Sequence, residues 1–223
     1  MGTITIQEET TLNPITLIGK EAGVCWGADV TDKEKNYKRG MDCLASGHMR
    51  TAEFPQVYVI LDGYSARVIR ELYTHIGGSP TRLQASTRYI NYANFEYIVP
   101  PSIAKNEQAK NLYDRVMRNI QNHLDVLNQL GVPKEDSANL LPLGMTTKVV
   151  LRTNLRNLID MSHQRMCTRA YWEFRQLMKD LISALNEYSD EWKVLTENYF
   201  KSKCDVTGYC NERYSCGRHP KVD

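Results

Sequence analysis

The 223-residue sequence lacks the short motifs that identify several common enzyme classes. It contains no G-x-x-x-x-G-K-[ST], G-x-G-x-x-G, H-E-x-x-H or G-x-S-x-G pattern. These absences argue against a Walker-type phosphate loop, a Rossmann dinucleotide fingerprint, the common zinc-protease motif and the nucleophile elbow of an α/β-hydrolase. Internal repeats and low-complexity segments are also absent. A functional site must therefore be sought in less familiar residue patterns.

Long hydrophobic runs and a strong excess of one charge are also missing. No apolar run approaches the roughly 18 residues that span a bilayer, and the first residues, MGTITIQEETTLNPITL, have no basic flank followed by an apolar block. We therefore expect no membrane span, no secretory signal and a cytoplasmic location, where the six cysteines stay reduced. The net charge of +2 argues against a nucleic-acid partner, because such surfaces carry a concentrated basic excess.

Hydrophobic periodicity predicts long helices that alternate with a few strands. β-branched and apolar runs indicate strands at 57–61, 97–103 and 146–154. Helical spacing indicates helices at 65–75, 109–130, 155–166 and 169–189. Ser65 is the expected N-cap of the first helix, and Gly131 ends the long one. The pattern predicts an α+β (mixed α/β) fold in a single domain, residues 1–223, with a polar, cysteine-containing tail from about residue 201.

Residues 75–92, HIGGSPTRLQASTRYINY, are rich in groups that bind anions and have little apolar periodicity. Arg82 and Arg88 could clamp a phosphate, because the planar guanidinium matches phosphate oxygens. Ser86 and Thr87, with loop amides, would add donors. Composition alone favours a solvated surface loop, so this motif needs support from the rest of the chain.

Residues 163–175, HQRMCTRAYWEFR, hold a second basic and aromatic cluster. On a helix, Arg165 and Arg169 lie four residues apart on one face, as do Arg169 and Trp172. Such a face could hold a flat anionic ligand. The helical pattern alone favours a different arrangement, in which the aromatic residues pack inward and the arginines face solvent.

The tail contains Cys204, Cys210 and Cys216 at equal spacings of six residues. His219 could supply a fourth metal ligand. The spacing lacks the Cys-x-x-Cys pairs that are typical of structural zinc sites, so reduced cysteines are the favoured interpretation. We therefore assign no metal from the sequence.

Several segments follow one another in a characteristic order along nearly the whole chain. They are AGVCW (22–26), SGHMRTAEF (46–54), THIGGSPTRLQASTRYINY (74–92), YIVPPSI (97–103), EDSANLLPLGMTTKVVLRTNLRNLIDMSHQRMCTRAYWEFRQL (135–177) and CDVTGYCNERYSCGRHP (204–220). This succession resembles the flavin-dependent thymidylate synthases. The specific part lies in the carboxyl half, where Asn154, Arg156, Arg165 and RAYWE match family positions in order and without a gap.

The family's signature loop is only partly present. Ser86-Thr87-Arg88-Tyr89 matches its second half, whereas Thr74-His75-Ile76 stands where the family has Arg-His-Arg. Gln84 and Asn139 replace a family Glu and Arg. Losing three arginines would remove charge-assisted hydrogen bonds worth about 1.5–3 kcal/mol each. We hypothesise that Arg50 and Arg82, new cations in the same neighbourhoods, supply the missing phosphate contacts.

The resemblance implies a central antiparallel sheet flanked by long helices, and a homotetramer with active sites between subunits. It implies reductive C5-methylation of dUMP to dTMP, with FAD as cofactor and with NADPH and methylenetetrahydrofolate as co-substrates. It also implies Arg165 as the catalytic residue. The implied dUMP-binding residues are Glu71, Arg82, Gln84, Ala85, Ser86, Thr87, Arg88, Asn139 and Arg165. The implied FAD-binding residues are His48, Arg50, Thr74, His75, Ile76, Gln84, Asn154, Arg156 and Asp160.

Two alternatives stay open at this point. The altered phosphate loop is compatible with a related enzyme that methylates C5 of another uridine nucleotide. It is also compatible with a homologue that binds nucleotide or flavin without turnover. The presence of Arg88, Asn154, Arg156 and Arg165 favours the enzyme.

Overall fold

Four strands form one antiparallel sheet in the computed structural model, which describes residues 2–222. The strands are β1 (Thr3–Ile6), β2 (Gln56–Ser65), β3 (Thr81–Gln84) and β4 (Thr146–Asn154). Their order in the sheet is β1-β2-β4-β3. The predicted mixed α/β fold with an antiparallel sheet is therefore confirmed.

Helices make up most of the remaining chain. They are α1 (Pro14–Cys25), α2 (Lys33–Ala45), α3 (Ala66–Leu72), α4 (Pro101–Ala104), α5 (Glu107–Gln129), α6 (Lys134–Ser137), α7 (Leu155–Arg165), α8 (Trp172–Tyr188), α9 (Asp190–Tyr199) and α10 (Lys203–Thr207), with 3-10 turns at Thr51–Glu53 and Ala138–Leu140. Within residues 2–222, none of these helices combines the length and the apolar composition that crossing a membrane requires.

The predicted elements agree with the structure where the local signal is strong. β4 covers the predicted residues 146–154, and α5 ends just before Gly131, whose φ of +77° suits a residue without a side chain. Ser65 caps α3 as expected, because its side chain accepts a hydrogen bond from the Val68 amide. The break between α7 and α8 near Cys167 is also confirmed.

Three predictions about element boundaries are wrong. Residues 97–103 do not form a strand: Tyr97 makes only an isolated bridge with Met145, and Pro101 begins α4, where a proline costs no hydrogen bond. α3 ends at Leu72, three residues before the predicted end. β2 continues past Gly63 to Ser65, since this glycine adopts a φ of +76° within the strand.

The contacts divide the chain into two compact units. Unit 1 comprises residues 2–3, 61–73 and 83–149, and unit 2 comprises residues 4–60, 74–82 and 150–222. The division falls within each of the four strands. The single domain inferred from the sequence stays a prediction.

Each unit has buried apolar side chains of its own. In unit 1, one cluster is formed by Phe95, Met117, Leu124 and Met145, so α5 contributes the inner face of this core. In unit 2, fully buried side chains come from α1, α7, α8 and α9. They include Ile15, Ile18, Leu158, Phe174, Leu177 and Trp192.

Glycines allow α1 and α2 of unit 2 to approach at backbone contact. A Cβ atom added to Gly19 would overlap the carbonyl oxygen of Asn36 and lie 2.6 Å from the amide nitrogen of Gly40. A Cβ atom on Gly40 would likewise overlap the carbonyl oxygen of Ile15. Neither contact can be relieved by a rotamer change, because the opposing atoms belong to the backbone.

Candidate active site

The loop after α3 lies against the start of α7 and carries a buried histidine, His75. Gly78 has a φ of +68°, and a Cβ atom there would overlap the side-chain amide of Asn154. A Cβ atom on Gly77 would lie 3.0 Å from Oδ1 of Asn157. The two glycines therefore let the loop backbone lie directly on α7, and His75 is buried as a result.

Arg165, the last residue of α7, is held in place by the buried histidine and an aromatic ring. Its Nε donates a hydrogen bond to Nε2 of His75 at 2.9 Å. Its Cζ lies 4.6 Å from the ring centroid of Phe174, which is fully buried on α8. The His75 and Phe174 rings also meet edge to face, with centroids 5.6 Å apart. The guanidinium therefore has a defined direction before any ligand binds.

Burial and neighbouring cations keep His75 neutral. Burial is the largest cause, followed by the charges of Arg165 and Arg82, and together they lower the pKa of His75 from 6.5 to about 4. Because Nε2 accepts the hydrogen bond from Arg165, the single proton of the neutral ring lies on Nδ1. Because the imidazole of His75 is neutral, it does not compensate the positive charge of Arg165.

We expect this pKa to make the protein less stable in acid. The unfolded chain binds a proton at position 75 below about pH 6.5, whereas the folded state does so only near pH 4. The free energy of unfolding should therefore fall as the pH is lowered from about 6.5 to 4, by at most about 1.4 kcal/mol per unit from this group. Urea titrations of the wild type and His75→Asn across this range measure the effect.

His75→Asn should lose part of this pH dependence of the free energy of unfolding. His123→Asn on α5 is the matched control, because it removes an exposed histidine that makes none of the described contacts of His75. Equal acid sensitivity in the wild type and His75→Asn would contradict the proposed neutral state of this histidine.

Two further arginines in unit 2 surround the same loop. The guanidinium of Arg82 donates a hydrogen bond to the carbonyl oxygen of His75. Arg152, in β4, donates from Nη2 to the Ser79 carbonyl oxygen at 3.1 Å and to Thr81 Oγ1 at 3.2 Å. Its Nε is buried and has no hydrogen-bond partner among the described residues. A partly buried cation with an unused donor fits an anionic ligand at this loop.

Eight of the nine predicted flavin-binding residues belong to unit 2. Asn154 is buried and caps α7, accepting a hydrogen bond from the Asn157 amide at 2.9 Å. Arg156 is exposed and pairs with Glu53, 2.6 Å between Nη1 and Oε1. His48, Arg50, Thr74, Ile76 and Asp160 are also exposed. The ninth residue, Gln84, belongs to unit 1.

Most predicted nucleotide-binding residues lie in unit 1 instead. Arg88 pairs with Glu135, with 2.7 Å between Nε and Oε2, and its amide donates to Ser86 Oγ at 3.2 Å. Asn139 donates to the Asp136 carbonyl oxygen at 2.9 Å. The members of this set in unit 1 are Glu71, Gln84, Ala85, Ser86, Thr87, Arg88 and Asn139, and those in unit 2 are Arg82 and Arg165.

Comparison with known proteins assigns the family. The family described as "Thymidylate synthase complementing protein" matches residues 8–189 of this chain. The chain belongs to the flavin-dependent thymidylate synthase family. One family member, the flavin-dependent thymidylate synthase of Nitratidesulfovibrio vulgaris, is 30% identical over 85% of this chain and 79% of its own. That of Clostridium tetani is 27% identical over 94% of this chain and 91% of its own.

Solved structures of the family share the fold. Thymidylate synthase X from Helicobacter pylori, crystallised with FAD and dUMP, superimposes with a TM-score of 0.68. The sequence identity is 18%, and the superposition covers 90% of this chain and 100% of that one. This likeness supports the mixed α/β architecture of the present family member.

One expectation for this family member's basic cluster is wrong. Arg165 and Arg169 do not share a helix face, because α7 ends at Arg165. Arg169 instead donates to the Tyr214 carbonyl oxygen at 3.3 Å, and its Cζ lies 5.6 Å from the Tyr214 ring centroid. Phe174 packs inward as the alternative interpretation expected, although Trp172 is only partly buried.

Two contacts of these residues have no local sequence signal, and the position of Arg152 has only a weak one. The Phe174 ring meets Arg165 only through the packing of α8 on α7, and Glu135 meets Arg88 across 47 positions of sequence. Arg152 falls in a β-branched run that reads simply as a strand. Successive side chains of a strand point to opposite faces of the sheet. Arg152 stands between Leu151 and Thr153, which are both buried, so its side chain lies on the opposite face.

Proposed function

We propose that this protein is a flavin-dependent thymidylate synthase, which methylates C5 of dUMP reductively to give dTMP. Methylenetetrahydrofolate would supply the carbon and NADPH the electrons. The observation that carries the proposal is the fixed guanidinium of Arg165, at the family position, held by His75 and Phe174. Family membership across residues 8–189 supports the reaction class.

The residues of unit 2 fit a phosphate-bearing cofactor. Arg152 has an unused buried donor, Arg82 in β3 donates to the His75 carbonyl oxygen of the loop, and Gly78 allows backbone approach. FAD, when bound, supplies the hydride chemistry that protein side chains lack. The residues that we propose to hold it are His48, Arg50, Thr74, His75, Ile76, Gln84, Asn154, Arg156 and Asp160.

Arg165 is the proposed catalytic residue. A fixed cation against the pyrimidine lowers the free energy of negative charge on the ring, and so favours ionisation at N3. The neutral His75 orients Arg165 without reducing its charge, whereas a carboxylate at the same place would compensate that charge. Phe174 contacts the guanidinium through its ring face and occupies none of its hydrogen-bond donors.

The nucleotide would be held by residues of the Ser86-Thr87-Arg88 turn, together with Glu71, Arg82, Gln84, Ala85 and Asn139. Arg88 now pairs with Glu135, and both side chains are more than half exposed. An incoming phosphate can therefore replace this carboxylate at little cost, because exposed ion pairs contribute only about 0–1 kcal/mol. We assign Ser86 to binding rather than to nucleophilic attack, since no base lies beside it in sequence.

The proposed assembly follows the family resemblance. We propose a homotetramer with active sites between subunits, acting in the cytoplasm on a small-molecule nucleotide. Sedimentation of the purified protein with and without FAD would measure the assembly.

The activity can be tested directly with purified protein. Incubated with FAD, NADPH, methylenetetrahydrofolate and dUMP, it should form dTMP, and it should show flavin absorbance after gel filtration. A parallel reaction with UMP distinguishes a related uridine-nucleotide enzyme. Folded, flavin-loaded protein that converts neither nucleotide would overturn the proposed activity and would favour a binding homologue.

Arg82 provides a test of the altered signature loop. Arg82→Ala should weaken FAD or dUMP binding about tenfold, or about 1.4 kcal/mol, because it removes a cation beside His75. Arg70→Ala, on the exposed side of α3, is the matched control. Fluorescence titration with FAD and equilibrium dialysis with dUMP measure both affinities. Unchanged affinities in Arg82→Ala would refute the idea that Arg82 compensates for the missing arginines.

A further inference from the structure

A separate cluster of metal-ligating side chains lies in the carboxyl-terminal tail. Cys204, Asp205 and His219 place a thiol, a carboxylate oxygen and an imidazole nitrogen within 4.8 Å of one another. All three residues are partly buried and belong to unit 2. We propose that they bind a divalent transition-metal ion of the Zn²⁺ type, outside the site described above.

The donor set matches the chemistry of zinc. Thiolate, imidazole and carboxylate are its common protein ligands, at about 2.0–2.3 Å from the ion. Ligand atoms of a tetrahedral site then lie about 3.3–3.8 Å apart, a spacing that follows from those bond lengths. His219 Nε2 and Asp205 Oδ1 lie 2.8 Å apart and already face each other, so only a small separation is needed to admit the ion.

Neighbouring groups orient two of the three ligands. Ser202 is buried, and its Oγ lies 3.1 Å from Cys204 Sγ and donates to Asp205 Oδ2 at 2.7 Å. Arg218 also contacts Oδ2 of Asp205, at 3.1 Å. The second carboxylate oxygen, Oδ1, is thereby directed to His219. Hydrogen bonds of this kind are what fixes ligands around protein-bound metals.

The construction of the tail favours an ion over a simple hydrogen-bonded cluster. From Lys201 to Val222, Cys210 is the one buried hydrophobic residue, yet the end of the chain folds back on itself. The Cys210 amide donates to the Pro220 carbonyl oxygen at 2.7 Å, which brings His219 beside Asp205. All six cysteines are free in the structure. Small segments without an apolar core usually need a metal or a disulfide to hold one conformation.

A neighbouring cavity gives the ion an open position. It has a volume of about 260 Å³ and is lined by Cys204 together with His163, Cys167 and Cys210. Because Cys204 belongs to both the cavity wall and the ligand cluster, a water molecule from the cavity could complete a tetrahedral site. Two anionic ligands and a neutral imidazole would balance the charge of a divalent ion.

Direct metal binding by the full chain tests this proposal. The untagged protein, treated with chelator and dialysed, should bind one equivalent of Zn²⁺, and Co²⁺ should produce a thiolate-to-cobalt charge-transfer band. Cys204→Ser should abolish that band. Asp205→Asn and His219→Gln should keep the band but weaken the affinity at least about tenfold, because even the loss of a residue that only orients a ligand costs about 10–100-fold. Bound Zn²⁺ should also slow trypsin cleavage after Arg213 and Arg218.

Two control variants separate this ligand set from other arrangements of thiols. Cys216→Ser and Cys25→Ser remove exposed cysteines outside the cluster and should bind Zn²⁺ normally. Circular dichroism verifies that each variant is folded. Absence of stoichiometric binding by the wild type would overturn the proposal. So would a set of variants in which Cys167, Cys210 or Cys216 is required for binding but Asp205 and His219 are not.

Discussion

Arg165→Lys should reduce the rate of dTMP formation at least about a hundredfold, or about 2.7 kcal/mol in the activation free energy. Lysine keeps the positive charge, but it has no planar fork with which to contact His75 through one nitrogen and present the others to a pyrimidine. It also cannot stack on Phe174 in the same way. Steady-state kinetics with saturating dUMP measure the loss as a change in kcat.

The control for this prediction is Arg169→Lys. Arg169 lies four residues farther along the chain, contacts Tyr214, and makes none of the described contacts of Arg165. Its replacement should change kcat less than about twofold, in line with a weak exposed interaction. If Arg165→Lys stays fully active while retaining FAD, then a fixed guanidinium at this position is not what stabilises charge on the pyrimidine.

Gly19→Ala should destabilise the protein strongly for the addition of a single methyl group, by about 3 kcal/mol or more in the free energy of unfolding. The added Cβ atom would overlap the Asn36 carbonyl oxygen and approach the Gly40 amide nitrogen, so α1 and α2 would have to move apart. Urea denaturation followed by circular dichroism measures the change.

Gly23→Ala provides the matched control on the same helix. Its Cβ atom would require only side chains to adjust, the guanidinium of Arg39 and a methyl group of Val30, whereas the Cβ atom at Gly19 meets backbone atoms. The helix-propensity gain of alanine, about 1 kcal/mol, should offset much of this adjustment. Equal destabilisation by the two substitutions would show that side-chain contacts, and not the backbone approach at Gly19, limit the packing of α1 on α2.

Local chemistry explains which parts of the fold could be predicted from sequence. Ser65, with its hydroxyl, marks the start of α3, and the β-branched run at 146–154 marks β4, because both signals act within a few residues. β1 and β3, each of four residues, have no such signal. They are strands because partners across the sheet complete their hydrogen bonds, which is a property of the tertiary structure.

The candidate site also contains some features that the sequence predicts and others that depend on the tertiary structure. Motif order alone singled out His75, Arg156 and Arg165. The state of His75 could not be read from sequence, because its pKa depends on burial and on two arginines that are 7 and 90 residues away. Likewise, the pairing of Arg88 with Glu135 depends on how distant segments of unit 1 fold together. The roles proposed for these residues stay predictions.

The absence of a linker between β4 and α7 has a geometric consequence. Asn154 is both the last residue of β4 and the N-cap of α7, so the strand passes directly into the helix. At about 1.5 Å and 100° per residue, the nine steps from Arg156 to Arg165 amount to about 14 Å and about two and a half revolutions, so the two residues lie on opposite faces of the helix. The length of α7 thus fixes the distance and the angle between Arg156 and Arg165. Adding or removing one residue within the helix would rotate Arg165 by about 100° about the helix axis, away from His75.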